Sequence, residues 1–186
     1  MRHRAWLLVV ATGALGLVAG ILVDQWQQRA QQGEGGTARA GVDRPNVLGT
    51  RHPDMELPDL EGNRRSLAEF GGRVILLNFW ATWCPPCLEE IPALMTVQRE
   101  LGDRGLQVIG IALDERGATQ RFVAEHEVSD PVLIGGESAF TLAERFGNVP
   151  ASLPYTAVID RDGVIRAIHR GALSRTEATE LVRPLL

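Results

Sequence analysis

Hydrophobic and polar positions divide the chain into three stretches. Residues 5–23 run for 19 positions without a charge. That length can cross a hydrocarbon core as a helix. Residues 24–51 are rich in Gln, Gly, Ala and Arg and have almost no apolar periodicity. They read as a flexible tether. Residues 52–186 carry the alternation and periodicity of one packed domain.

Inside that domain, residues 55–58 alternate like a short edge strand, where Pro58 is tolerated. Residues 60–63 have turn chemistry, and Ser66 is placed to cap a short helix over 67–70. Residues 73–80 and 106–112 are near-continuous apolar runs, the pattern of strands buried on both faces. A helix from about Cys84 to Leu101 joins them, with Leu88, Ile91, Leu94, Met95 and Leu101 as its inner stripe. Pro92 falls within it and predicts a kink. A helix over 118–127 with Phe122 and Val123 inward, a strand at 132–134 and a helix at 140–146 follow. Next come a proline-marked loop at 149–154, a strand at 155–159, a turn at 160–163 and a returning strand at 164–169. Ser174 and Glu177 form a capping box for the last helix. The order predicts an α/β domain: a mixed central sheet flanked by helices, with an N-terminal β-hairpin and a central αβ insert.

Composition narrows the partners. Apolar residues make up 45% of the chain, enough for one core, and the net charge is −4. All 19 basic residues are Arg. The absence of Lys excludes a lysine Schiff base and a P-loop, and mild acidity argues against nucleic acid. Arg2 and Arg4 precede the apolar run, which orients it with the amino terminus in the cytoplasm. Residues 1–23 thus read as a signal-anchor in the cytoplasmic membrane, with the domain in the periplasm or extracytoplasmic space. The competing reading is a cleaved signal peptide and a soluble periplasmic protein. The run exceeds the usual signal core of about 7–15 residues, and no small-x-small site directly follows it.

The only two cysteines, Cys84 and Cys87, lie three positions apart. A bridge that short restricts the unfolded chain little, so it is better explained by chemistry than by stability. Trp83-Cys-Pro-Pro-Cys87 follows a buried strand and opens a helix. The amino end of a helix offers partial positive charge and free N–H groups, which favour a thiolate at Cys84. Cys84 is then the nucleophile and Cys87, one turn deeper, the resolving thiol. Pro85 and Pro86 suit the first helical positions. A zinc site needs two more ligands, and His3, His52, His126 and His169 are not paired with them or with one another. No metal and no cofactor are expected. The bland alternative is a pair of inert core cysteines.

The stretch Asn78-Phe-Trp-Ala-Thr-Trp-Cys-Pro-Pro-Cys-Leu-Glu-Glu-Ile-Pro92 closely resembles exported thioredoxin-like proteins of the TlpA/ResA type, which include cytochrome c maturation thioredoxins. The likeness covers about residues 51–186. It implies the thioredoxin fold, with residues 116–146 as the insert of this branch. It implies that Leu153-Pro154 is a cis peptide facing the cysteines, Pro150 being the rival position. Leu153 would then offer its backbone to an extended substrate, beside Trp83 and Pro85 at the rim. It also implies proton transfer by Glu90, three residues after Cys87. Asn78 stands where ordinary thioredoxin has a buried aspartate, which removes that proton route and raises the weight on Glu90. Trp80 reads as core, and Asp114-Glu115, at the end of a parallel strand where ligands often bind, as a solvated loop ahead of a functional pair.

The resemblance implies a protein-disulfide reductase. Its clients would be apocytochrome c or metal-centre assembly proteins, and a membrane electron donor would re-reduce it. Three other classes remain open: an oxidase or isomerase of folding proteins, a peroxiredoxin-like peroxidase, and a non-enzymatic binding module. The peroxidase wants Thr-x-x-Cys, whereas Thr82 lies only two residues before Cys84.

Overall fold

The computed structural model describes residues 46–186. The expected anchor and the tether up to residue 45 lie outside the described residues. Among the described residues, no helix is long and apolar enough to cross a membrane.

Strand β3 (Val74–Trp80) organises the fold, and all seven of its residues are buried. It pairs in parallel with β4 (Leu106–Ala112) on one side and antiparallel with β6 (Tyr155–Ile159) on the other. β5 (Val132–Ile134) extends the sheet in parallel beyond β4, and β7 (Ile165–Arg170) closes the other edge antiparallel to β6. The five-stranded order is β5-β4-β3-β6-β7. This is the mixed sheet of a thioredoxin-like α/β fold, as the pattern of two apolar runs plus a late hairpin predicts.

Side chains alternate across a strand, so β3 feeds two clusters. Val74 and Leu76 pack with Leu94, Val97 and Leu101 of α1 (Pro85–Leu101) and with Ala178 and Val182 of α4 (Arg175–Val182). Ile75, Leu77 and Phe79 belong to the other cluster, with Leu67, Ile109, Ile111 and Phe146. α2 (Arg116–Glu125) and α3 (Ser138–Arg145) flank β5 in sequence and form the insert. The N-terminal hairpin is β1 (Glu56–Pro58) with β2 (Arg64–Ser66), a separate two-stranded sheet. Ser66 caps the following turn as expected, but residues 67–70 form a 3₁₀ turn. The Ser174–Glu177 capping box is present at α4.

One expectation needs correction. The tether was expected to reach residue 51, but the packed domain starts earlier. Val47 is buried, Gly49 N–H donates to Ile165 C=O, and Ile165 N–H donates to Thr50 C=O. These bonds extend the β7 edge with residues that lack any period in sequence. Pro92 lies inside α1, as the pattern places it, and the helix runs on to Leu101.

Gly110, at the centre of β4, faces the Trp80 indole so closely that a Cβ there would lie 2.8 Å from its Nε1. Trp80 is buried and packs on Phe122, with ring centroids 5.1 Å apart. Gly110→Ala is therefore expected to displace Trp80 and destabilise the fold by about 1–3 kcal/mol, measurable as a lowered midpoint in chemical denaturation.

Candidate active site

The redox motif sits where the chain leaves β3. Leu113 N–H donates to Trp80 C=O, which keeps the ends of β3 and β4 together. The bend that follows is held by Asp114, whose carboxylate accepts from Thr82 N–H. Sequence reasoning placed Asp114 in a solvated loop. Its partner is 32 residues away, and no local pattern reveals that contact.

Cys84 is the N-cap of α1 and has extended backbone (φ −105°, ψ 97°). Pro85 and Pro86 fill the first two helical positions. Cys84 and Cys87 form a disulfide with Cα atoms 5.3 Å apart. Cys84 is 5% exposed and Cys87 fully buried, so only the first sulfur is near the surface. The expected set of free N–H donors is reduced. Both prolines lack an N–H, and Cys87 N–H donates to Cys84 C=O at 3.0 Å. Stabilisation of a Cys84 thiolate then rests on the dipole of a 17-residue helix.

Beneath the pair lies a buried polar cluster. Glu90 is 1% exposed and lies on the same helical face as Cys87. Asn78 Nδ2 donates to Glu90 Oε1 at 2.8 Å and to Thr156 Oγ1 at 3.0 Å. The N–H of Leu173 donates to Glu90 Oε2, also at 2.8 Å. Burial pushes the Glu90 carboxyl up to about 7; the bonds from Leu173 and Asn78 oppose that rise without cancelling it. A group with that value can gain or release a proton near neutrality. The register of β3 with β6 places Asn78 opposite Thr156, so Asn78 clamps the carboxylate instead of titrating itself.

Around Cys84 is a groove of about 380 Å³, lined by Trp83, Pro85, Leu113, Phe140, Asn148 and Leu153 among others. None of its lining residues carries Asp, Glu, Lys or Arg chemistry. Trp83 is 60% exposed and Phe140 39%, two of the few large apolar side chains left open on the described surface. Trp83, Pro85 and Leu153 thus come together at the sulfur. Phe140 from the insert and Asn148 from the loop after it line the outer wall of the same groove, and sequence reading did not single out either. The Leu153–Pro154 peptide is cis, and so is Val149–Pro150; the expectation of one cis bond, with Pro150 only a rival, gives way to two. Among the described residues no three His, Cys, Asp or Glu side chains cluster to hold a metal.

Residues 48–183 match the family model described as Redoxin. The chain belongs to the Redoxin family. Within it, this redoxin is similar to thiol-disulfide oxidoreductase ResA of Halalkalibacterium halodurans, 33% identical over 151 residues, which cover 79% of each chain. It is also similar to ResA of Bacillus thuringiensis subsp. konkukian, 30% identical over 74% of this chain and 78% of that one. Among solved structures it resembles a secreted thiol-disulfide isomerase from Corynebacterium glutamicum. That match has a TM-score of 0.67, 29% identity, and coverage of 72% of this chain and 84% of that one. The redoxin is a thiol-disulfide oxidoreductase of the TlpA/ResA type.

The raised Glu90 value has a stability consequence. The folded state holds this proton more tightly than the unfolded chain does. Stability from this group is therefore full below about pH 4.5 and is lost as pH rises through about 7, by about 3 kcal/mol. Asp130 is also raised by burial, to about 6, so the readout is the difference between wild type and Glu90→Gln. Denaturation across pH 4 to 8 is expected to show the variant gaining on wild type as pH rises.

Proposed function

We propose that this protein is an extracytoplasmic, membrane-tethered reductase of protein disulfides. The observation that carries the reading is the Cys84–Cys87 bridge at the start of α1, open on one side to an uncharged groove walled by Leu153. In the reduced protein the Cys84 thiolate attacks one sulfur of a client disulfide. A mixed disulfide forms and a client thiolate leaves. Cys87, its proton passed to the Glu90 carboxylate, then attacks Cys84 Sγ. The client departs as a dithiol, and the Cys84–Cys87 bridge carries its two electrons' worth of oxidation. A dithiol donor reached through the membrane returns the pair to the reduced form.

Client recognition uses the backbone of Leu153. Among the described residues neither its N–H nor its C=O has a partner, so an extended client segment can pair with it as an added strand. Trp83 and Pro85 contact the segment beside its cysteine. Apocytochrome c and metal-centre assembly proteins are clients of this chemistry, because both must present reduced cysteines outside the cytoplasm. The basic, apolar head supports the tether and its orientation.

Trapping tests the roles. Cys87→Ser is expected to accumulate a covalent adduct on Cys84 that reductant releases and mass spectrometry identifies. Cys84→Ser is expected to give none; adducts recovered from that variant instead would reverse the two roles. The direction has a separate test, equilibration of the bridge against defined thiol buffers. A potential near that of a strong oxidant, about −120 mV, would replace the reductase by an oxidase.

A further inference from the structure

The loop that faces Cys84 lacks the backbone bonds that usually fix such a segment. Between residues 149 and 153 the sole backbone–backbone bond among the described residues is Val149 N–H to Gly147 C=O. Pro150 and Pro154 have no N–H to give. Both ends are nevertheless pinned. Tyr155 Oη donates to Phe146 C=O, and Arg170 Nη2 to Gly147 C=O, each at 2.6 Å. Gly147 itself has φ +92°, and a Cβ there would meet Val47 at 2.8 Å. The Arg170 guanidinium also stacks over the Tyr155 ring, 5.3 Å from its centroid.

What shapes the middle is one side chain. Asn148 Nδ2 donates to Ser152 C=O at 2.8 Å. Asn148 Oδ1 accepts from both the N–H and the hydroxyl of Ser152 at 3.2 Å. All three bonds go to the same residue and close a five-residue ring. Asn148 is 1% exposed, yet it lines the groove beside Cys84 and Leu153. Ser152 is exposed, so water can take over its bonds if the carboxamide is lost. Loss of Asn148 therefore costs little global stability but releases the shape of the ring. Leu153 follows that ring directly.

We propose that Asn148 is a positioning residue: its carboxamide replaces the missing backbone ladder and aims the Leu153 backbone at the client segment. The inference rests on the client-addition reading above. It assigns no contact with the reacting sulfurs. Asn148→Ala should therefore weaken capture of an extended peptide and leave the intrinsic reactivity of Cys84 alone.

The test uses pre-reduced full-length protein and two probes. One is a synthetic peptide with an internal Cys-X-X-Cys disulfide flanked by uncharged residues; the other is hydroxyethyl disulfide, which has no peptide backbone to pair with Leu153. With Asn148→Ala the half-saturating peptide concentration is expected to rise about fivefold, as loss of about one net hydrogen bond would give. The rate with hydroxyethyl disulfide should stay within about twofold, less than half of that change. Asn148→Asp keeps the two acceptor bonds and loses the donor, so it should fall between. Equal loss with both probes would mean general damage and overturn the proposal. A wild type that reduces the peptide while both variants match it also removes the proposal, and leaves the function intact. A wild type active on hydroxyethyl disulfide alone removes the client-addition reading, and the role of Asn148 with it.

Discussion

The structure depends on the fixed register of β3 between two neighbours. Parallel pairing with β4 and antiparallel pairing with β6 lock seven buried residues in place. A slip of one residue would send every side chain of β3 to the opposite face. Asn78 would leave Thr156 and Glu90, and Trp80 would leave Phe122. The cysteines inherit this precision, because only three residues separate the end of β3 from Cys84.

The site divides its labour between two layers. Near the surface, Cys84 meets an apolar, uncharged groove in which Trp83 and Phe140 remain open to solvent. Beneath them, Asn78, Thr156, Glu90 and the Leu173 N–H form a closed polar cluster. A buried carboxyl is expensive to ionise, and that cost is what brings Glu90 to the neutral range. Asn78 tempers the cost without adding a second proton. The prolines at the head of α1 take part as well. They preset the helix but remove N–H donors, so thiolate stabilisation depends on the helix dipole more than on direct bonds.

Much of the fold was legible because it rests on local periodicity. The two apolar runs became β3 and β4, and the cap at Ser66 and the capping box at Ser174 mark true helical starts. The segment at residues 47–51 was misread as tether because its bonds to β7 come from across the chain and leave no alternating pattern. Helix α1 runs through Pro92 as its periodicity implies, because packing of Ile91, Leu94 and Val97 against the sheet outweighs one lost backbone donor.

By itself, the sequence determined the element types, the redox pair and its place at the start of a helix. Those follow from spacing within about twenty residues, where periodicity and capping act directly. It could not determine the role of Asp114, the closure of Asn148 onto Ser152, the arrival of Phe140 in the groove beside Cys84, or the partners that hold Glu90. Each of these depends on which distant segments the sheet brings within hydrogen-bonding or packing range. Desolvation and long-range contact are properties of the assembled structure, and no single stretch of chain encodes them.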